Sequence, residues 1–359
     1  IRICLVGSEM CIRDSPQSQH VSPKLYPSSH AEAMRPVEAR AVVRDAIESY
    51  FRQSGMRPVE TAAIQASHGF DANISAFQVH SARAYGRPMA LHTSPEYAMK
   101  RIIQSTGLSC FQFAQVFRDE PESQIHMPVF EMLEWYRVGR GSGVLIEDCL
   151  QILRQTARSL RGSTHLHWNG QLCDVGAEPA VLTCEQAISA CTGIEITRYA
   201  GDKVAFGQAA QELAGITVGA DDAWDDIFFK ILLNRVEPWL GIGSPTFLTN
   251  YPLAQASLAR ADPDRPGTAE RVELYVCGVE LANGFGELTD IPTTNARGET
   301  ERRGAAFNQG GPLAGHNSIE AITAKGLPRM AGMALGFDRL VMLLTGANRV
   351  QDVSWNHLP

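Results

Sequence analysis

The chain has 359 residues and a formal net charge of −7, with 44% hydrophobic and 20% charged residues, which is the composition of an ordinary folded protein. The acidic balance argues against a protein whose affinity comes mainly from nucleic-acid phosphates, since such binding needs clustered Lys and Arg. No apolar run approaches the roughly 20 residues of a membrane span, so we expect no membrane association.

The eight cysteines are scattered and form no Cys-x-x-Cys pair, so we interpret them as reduced thiols of a cytoplasmic protein. Residues 1–34 are predicted to be an N-terminal extension, disordered or extraneous, and residues 35–359 to form one catalytic domain. The apolar run from Ile1 to Gly7 is too short for a signal peptide.

The first predicted helix starts at Pro36, where Val43, Ile47 and Phe51 follow at helical spacing, and Gly55 is placed to end it. A second helix has Ser94 as its predicted N-cap. Helices are predicted at 94–104, 144–160 and 222–240. Strands are predicted at 57–64, 111–120 and 129–137, and from residue 245 onward. Gly- and Pro-rich segments at 260–268 and 289–315 indicate surface loops, the second with a short helix inside it.

The runs 115–120 and 129–137 flank a polar loop and are predicted to pair as antiparallel strands. Alternation along a strand puts Arg118 and Glu120 on one face. It does the same for Phe130, Met132, Glu134 and Tyr136 on the partner strand. A shared surface would offer a guanidinium for phosphate, a ring for a planar base, and acidic groups for an amine. A solvent-exposed sheet face whose charged residues form ion pairs explains the same residue types about as well.

Three glutamates, Glu273, Glu280 and Glu287, recur at intervals of seven residues. If Cys277-Gly278 forms a two-residue hairpin loop, Glu273 becomes the diagonal neighbour of Glu280 on one face, roughly 7–8 Å away. Two such carboxylates suit a Mg²⁺ ion held partly by nucleotide phosphates. A charged, exposed hairpin is the alternative.

A third segment runs from Gly332 as a strand through Gly336 into an apolar helix, with Asp338 near the predicted N-cap and Arg339 in the first turn. A glycine and a cation at a helix N-terminus are typical of phosphate sites. Simple packing of a strand against a helix is the alternative.

Together these segments resemble a known family. Residues 117–120 with 126–130 resemble the second motif of the class II aminoacyl-tRNA synthetases, and residues 332–344 resemble the third. Residues 93–97, 132–137 and 278–290 resemble the lysyl branch specifically. Only about 30 residues precede the first helix, too few for an OB-fold barrel. The chain therefore resembles the short elongation factor P β-lysine ligase family, which lacks the anticodon-binding domain.

The resemblance implies an α+β fold with a six-stranded antiparallel sheet flanked by helices, in a cytoplasmic homodimer. It implies that ATP activates lysine or (R)-β-lysine as an adenylate, and that the aminoacyl group passes to a lysine of elongation factor P, with no tRNA involved. Arg118 and Arg339 would be catalytic. The implied ATP-binding residues are Arg118, Glu120, His126, Phe130, Glu280, Leu281, Gly336 and Arg339. The implied substrate-binding residues are Ser94, Glu96, Glu134, Tyr136, Asn283 and Glu287, with Asn283 at the substrate carboxylate. Glu273 and Glu280 would bind Mg²⁺.

The chain departs from the family pattern at four positions. Met127 stands where the family has Asn, Val129 where it has Glu, Glu131 where it has Thr, and Ala62 where it has Pro.

Two other functions fit the same residues. One is an adenylate-forming ligase that charges a carrier protein or a tRNA, although the net charge counts against tRNA. The other is an inactive paralogue that senses an amino acid, although retention of Arg118, Glu280 and Arg339 counts against it. Lysine and (R)-β-lysine both stay open, because they differ only in the position of one amino group.

Overall fold

The computed structural model describes residues 30–66, 74–80, 89–290, 292–294, 297 and 326–354. Residues 1–29 of the predicted N-terminal extension lie outside the described residues, as does most of the predicted loop at 289–315. No helix in the described ranges is long and apolar enough to cross a bilayer.

The strands of the described ranges are β1 (Arg57–Pro58), β2 (Ile64–Gln65), β3 (Gln78–Val79), β4 (Met89–Leu91), β5 (Cys110–Phe117), β6 (Val129–Val138), β7 (His165–Trp168), β8 (Gln171–Asp174), β9 (Ala180–Thr183), β10 (Thr246–Pro252), β11 (Thr268–Val276), β12 (Val279–Gly286) and β13 (Met330–Gly336). The longer helices are α1 (His30–Gln53), α2 (Glu96–Thr106), α3 (Gly143–Arg161), α4 (Cys184–Thr192), α5 (Lys203–Ala214), α6 (Trp224–Ile231) and α7 (Phe337–Thr345).

The α+β class is confirmed, and the central sheet has eight strands within the described ranges rather than the expected six. Their order is β1-β5-β6-β13-β12-β11-β10-β9. The six inner strands from β5 to β10 pair antiparallel, as expected. The extra strands, β1 and β9, are short and pair in parallel at the two edges. Small separate sheets contain β2-β4-β3 and β7-β8.

Several predicted elements differ in their bounds. The predicted strand at 57–64 is two short strands, β1 and β2, in different sheets. The predicted helix at 222–240 is α-helical only to Ile231, and then forms a π-helical turn (Leu232–Val236) and a 3₁₀ turn (Glu237–Trp239). Pro238 lacks the backbone N–H that would continue the α-helical hydrogen bonds. Helix α1 begins at His30, before the predicted start.

The main hydrophobic core lies between the sheet and helices α1, α3 and α7. Phe51 of α1 stacks on Phe111 of β5 with ring centroids 5.0 Å apart and packs against Trp135 of β6. A second core, with Phe206 and Trp224 stacked at 4.8 Å, joins helices α4 to α6 to the β10 end of the sheet. The cysteines of the described ranges are free thiols. Burial of one sheet face under α1, α3 and α7 leaves the opposite face to line a cavity.

Candidate active site

A cavity of about 650 Å³ lies over the inner strands of the sheet. Every candidate site residue named from the sequence lines it, and the structure therefore brings all three sequence segments to one place. Arg118 and Arg339 both lie near His126, and Glu96, Glu134 and Glu287 surround Tyr136, so we call these two groups the cationic end and the acidic end. The cavity thus joins a cationic end to an acidic end.

Strands β5 and β6 pair antiparallel with Val116 opposite Phe130, which confirms the predicted strand pair. The backbone N–H of Arg118, just past β5, donates to Pro128 O at 2.8 Å and extends the pairing. The guanidinium carbon of Arg118 lies 5.2 Å from the centre of the Phe130 ring. A cation and an aromatic face therefore stand side by side at the cationic end.

Arg339 enters this end from the first turn of α7, which begins directly after Gly336. Its Nη1 donates to Glu280 O at 2.7 Å, and its Nε donates to Ile125 O at 3.1 Å. These bonds fix the guanidinium between the β11–β12 hairpin and the loop before β6. Asp338 is buried beside it and accepts a 2.7 Å hydrogen bond from the backbone N–H of Glu131.

His126 lies near both arginines, and Ser123 Oγ lies 2.7 Å from its Nδ1. Partial burial, followed by the cations of Arg339 and Arg118, lowers the pKa of His126 to about 4. The imidazole is therefore neutral at neutral pH, and the positive charge of this end comes from the two guanidinium groups.

The β11–β12 hairpin has the predicted two-residue loop, since Cys277 and Gly278 both have positive φ, 55° and 76°. Tyr275 lies opposite Glu280, as expected. A register shift between Leu274 and Tyr275 then places Glu273 directly opposite Asn283, so the predicted pairing was wrong beyond that point. A bulge of this kind adds one residue to one strand.

Glu273 is buried and its carboxylate is already well supplied with donors. Arg271 donates from Nε at 3.1 Å and from Nη2 at 2.7 Å, and the hydroxyls of Tyr275, at 2.7 Å, and Tyr251 also donate to it. Asn283 Nδ2 adds a bond of 3.1 Å. Glu273 is therefore rigidly held in this structure.

Glu280 is the more accessible of the two predicted metal ligands, because its side chain is 39% exposed. Partial desolvation inside the cavity, followed by the nearby Glu273 carboxylate, raises the pKa of Glu280 above its usual value. No group of three or more His, Cys, Asp or Glu side chains in the described ranges is placed to hold a metal by itself. The residues fit a hard divalent cation that brings further oxygen ligands with it, such as those of a phosphate.

Asn283 offers an acceptor to the cavity in this arrangement. Its Nδ2 is bound to Glu273, while its buried Oδ1 has no hydrogen-bond partner. The second N–H of Nδ2 remains as a donor, so the expected contact with a substrate carboxylate stays a prediction, and Oδ1 offers an acceptor for an N–H group of a ligand.

At the acidic end, Glu134 is buried on β6 and accepts hydrogen bonds from Ser94 Oγ at 2.7 Å and Tyr136 Oη at 2.6 Å. Burial, followed by the Glu96 carboxylate, raises the pKa of Glu134 to about 8. Burial also raises the pKa of Glu287 to about 7. Such carboxyl groups ionise fully when a cation is placed between them. This end therefore suits ammonium groups.

Ser94 does not occupy the predicted N-cap position, because α2 begins at Glu96 and Pro95 precedes it. Ser94 Oγ nevertheless accepts a 3.0 Å hydrogen bond from the Glu96 N–H and so caps the helix one residue early.

Sequence reasoning missed several charged groups in or next to the cavity, among them Lys100 and Glu237. Lys100 is buried beside Glu96 and Glu287, and its spacing of four residues from Glu96 on one helix was the available signal. Glu237 lines the cavity near the glutamates of the hairpin, and burial together with Glu280 and Glu273 raises its pKa to about 7. Its sequence context gave no signal.

The departures from the family pattern have different surroundings. Met127 is only 4% exposed and belongs to the main core. Glu131 forms ion pairs with Arg40 and Arg44 of α1. Ala62 is exposed.

Comparison with known proteins identifies the family of the chain. The family model for class II tRNA synthetases (D, K and N) matches residues 25–355. The elongation factor P–(R)-β-lysine ligase of Erwinia tasmaniensis is 33% identical over 320 residues, 88% of this chain and 92% of that protein. Proteins of the same name from Salmonella arizonae and Pectobacterium carotovorum are 33% and 34% identical over 321 and 318 residues, with the same coverage. The chain therefore belongs to the class II tRNA synthetase family and is an enzyme of the ligase class.

Proposed function

We propose that this enzyme uses ATP to activate lysine or (R)-β-lysine as an aminoacyl-adenylate and transfers the aminoacyl group to a lysine side chain of elongation factor P. The observation that supports the proposal is the lining of the cavity, in which Arg118 and Arg339 lie near His126, and the carboxyl groups of Glu96, Glu134 and Glu287 lie near Tyr136. Triphosphate and diamine chemistry are complementary to these two ends. The choice of elongation factor P as the acceptor is supported by the names of the relatives.

The cationic end would bind ATP. Phe130 would stack on the adenine ring, and Glu120 would accept a hydrogen bond from the adenine amino group. Arg118 would bind the α-phosphate, and Arg339 the far end of the triphosphate. Gly336 and Leu281 would line the nucleotide, with His126 beside the phosphates. The two guanidinium groups would stabilise the charge that develops on the phosphates during the reaction.

The activation step would join the amino acid to the α-phosphate. A carboxylate oxygen of the amino acid attacks the α-phosphorus, the bond to the β,γ-phosphates breaks, and pyrophosphate leaves with both bonding electrons. The held positions of Arg118 and Arg339 orient the reacting groups, which lowers the entropic part of the barrier.

Mg²⁺ would bind Glu280 and Glu273, and when bound it would neutralise phosphate charge. Glu280 is the accessible ligand, and Glu273 is held in place by Arg271, Tyr251 and Tyr275. A cation shared with the nucleotide would also relieve the repulsion between the two carboxylates.

The acidic end would bind the substrate's amino groups. Glu96, Glu134, Tyr136 and Glu287 surround it, and Ser94 fixes Glu134. In the transfer step, the neutral amine of the acceptor lysine attacks the carbonyl carbon of the adenylate, the bond to the phosphate oxygen breaks, and AMP leaves. The attacking nitrogen releases one proton to solvent as the amide forms. We also infer that the enzyme works as a homodimer, as the family resemblance implies.

The test is ATP–pyrophosphate exchange with a panel of amino acids, followed by mass spectrometry of elongation factor P. We expect exchange with lysine or (R)-β-lysine and none with norleucine, which lacks the distal amine. The acceptor should gain the mass of one lysyl group. A purified tRNA and a carrier protein are tested in parallel as acceptors. If either is labelled in place of elongation factor P, the proposed acceptor is wrong. Absence of exchange with every diamino acid would overturn the activity.

A further inference from the structure

A buried cation, Lys100, lies behind the acidic end of the cavity, against Glu96 and Glu287. It lies on α2 one turn after Glu96, and its side chain is 5% exposed. Its Nζ lies 2.5 Å from Oε1 of Glu96 and 2.6 Å from Oε2 of Glu287. The ammonium group therefore joins the first turn of α2 to the residue that follows β12, and each carboxylate keeps a second oxygen.

The charges around Lys100 can be counted. The groups that act on Lys100 and its partners electrostatically include Glu96, Glu287, Glu134, Tyr136, Cys110 and Arg260. Arg297 also lines the cavity and donates to the carbonyl of Ala259, which pairs with Glu287. Arg260 is held by Glu270 through two bonds of 2.6 Å, so this pair adds no net charge. Among Glu96, Glu134, Glu287 and Lys100, one ammonium group and three carboxyl groups give a net charge of −2 once a bound cation has ionised all three carboxyl groups.

The aminoacyl-adenylate of a diamino acid carries positive charges that match the negative charge of this group of side chains. Its carboxylate is then bonded to phosphate, and two ammonium groups remain, with a charge of +2. Buried charges are tolerated only when they are paired. Without Lys100, three carboxylates would face two ammonium groups, and one carboxyl group would retain a proton.

We propose that Lys100 is a positioning residue that sets the substrate class, by holding one oxygen of Glu96 and one of Glu287 and by matching the charge of the pocket to a substrate with two ammonium groups. This inference rests on the proposed activation of a diamino acid. Lys100 acts through the two carboxylates and does not touch the reacting atoms.

Lys100→Met and Lys100→Gln test the proposal in the full-length enzyme. The Gln variant keeps hydrogen-bonding capacity without the charge, so it provides a readout if the Met variant does not fold. We expect either change to raise the KM for lysine by at least about 10-fold and to alter the KM for ATP by less than about 2-fold, since only the amino-acid end loses a buried ion-pair partner. The acid limb of the pH profile of kcat/KM for lysine should move to higher pH, because Glu134 and Glu287 lose a neighbouring cation.

Lys100→Arg should recover part of the lysine KM, and Lys203→Met, at an exposed position on α5, is the matched control. Equal losses for lysine and ATP in Lys100→Gln would indicate a merely structural role and would overturn the proposal. An unchanged lysine KM and pH profile would also overturn it while leaving the proposed function intact. A wild-type enzyme that activates no diamino acid would overturn both.

Discussion

Arg40 Nη2 donates a 2.6 Å hydrogen bond to Oε2 of Glu131 and so connects helix α1 to the start of strand β6. The same guanidinium binds Asp338 in the first turn of α7. Arg44, one turn further along α1, pairs with the other oxygen of Glu131. Because the family pattern has Thr at this position, the pair of Arg44 and Glu131 is a feature of this chain. It ties the strand that carries Phe130 to α1.

Glu131→Gln should lower the free energy of unfolding by about 1.5–3 kcal/mol, because hydrogen bonds to a charged group are lost in a partly buried place. Urea unfolding measures this. In a double-mutant cycle with Arg44→Met, we expect a coupling energy of about 0.5–3 kcal/mol. Strict additivity of the two changes would show that Arg44 and Glu131 do not stabilise each other.

Glu280→Gln should lower ATP–pyrophosphate exchange by at least about 100-fold while leaving the circular dichroism spectrum unchanged. A neutral amide binds Mg²⁺ more weakly than a carboxylate does, so the cation would no longer be held beside the phosphates. Glu212→Gln, at an exposed position on α5, is the control. Near-normal exchange by the Glu280 variant with Mg²⁺ present would contradict the metal assignment.

Gly332→Ala should weaken binding of the amino acid and leave ATP binding intact. A Cβ atom at this position would overlap the ring of Tyr136 and lie 2.5 Å from Oε1 of Glu287. We expect the KM for lysine to rise at least about 10-fold, since overpacking of a rigid site costs about 1–3 kcal/mol. Steady-state exchange kinetics check this, with Gly143→Ala as the control, where a Cβ meets open space. A normal lysine KM would place the substrate elsewhere.

The free energy of unfolding of the ligand-free enzyme should fall as pH rises from about 6.5 to about 8. Glu134 alone should contribute about 1–2 kcal/mol of this decrease. Burial raises the pKa of Glu134 to about 8, so the folded state holds a proton that the unfolded state has already lost. Folding therefore becomes less favourable as that proton is removed. Urea unfolding across this range measures the slope, and Glu134→Gln should flatten it. Equal slopes for the two proteins would refute the assignment.

Met127→Asn restores the family residue, and the structure predicts that it destabilises the enzyme. Met127 is buried in the main core, so an amide there would lose its contacts with water without an assured partner. We expect a loss of about 1–3 kcal/mol in the free energy of unfolding, measured with urea. A more stable variant with tighter ATP binding would show that the amide reaches the nucleotide.

Features that depend on neighbouring residues in the chain were predictable from the sequence. Alternation along β6 predicted that Phe130, Met132, Glu134 and Tyr136 share a face, and all four line the cavity. β5 ends at Phe117, so alternation does not apply to Arg118 and Glu120. The Cys277-Gly278 dipeptide predicted the hairpin loop. Turn chemistry and alternation are local, and the sequence carries them directly. The edge strand β9, with four residues, is too short to produce a recognisable pattern, and β1 was predicted within a strand at 57–64 that is too long.

Contacts between distant elements were not predictable in this way. The register shift near Leu274, the donors around Glu273, and the bridge from Lys100 to Glu287 all depend on how separate elements meet. A pattern along one helix or strand shows which face is apolar, but it does not show which charges will be paired across the cavity. The family resemblance supplied the site residues and not their partners.

The pairing of β6 with β13 determines when the proposed nucleotide site can form during synthesis of the chain. Val138 pairs with Met330, so the two strands are separated by 192 positions (330 minus 138). Arg118 is synthesised before this gap and Arg339 after it. Strands so far apart pair late, since a long loop must close before the contacts form. A growing polypeptide can form the β5–β6 pair early, but the ribosome must complete α7 before a nucleotide can meet both arginines.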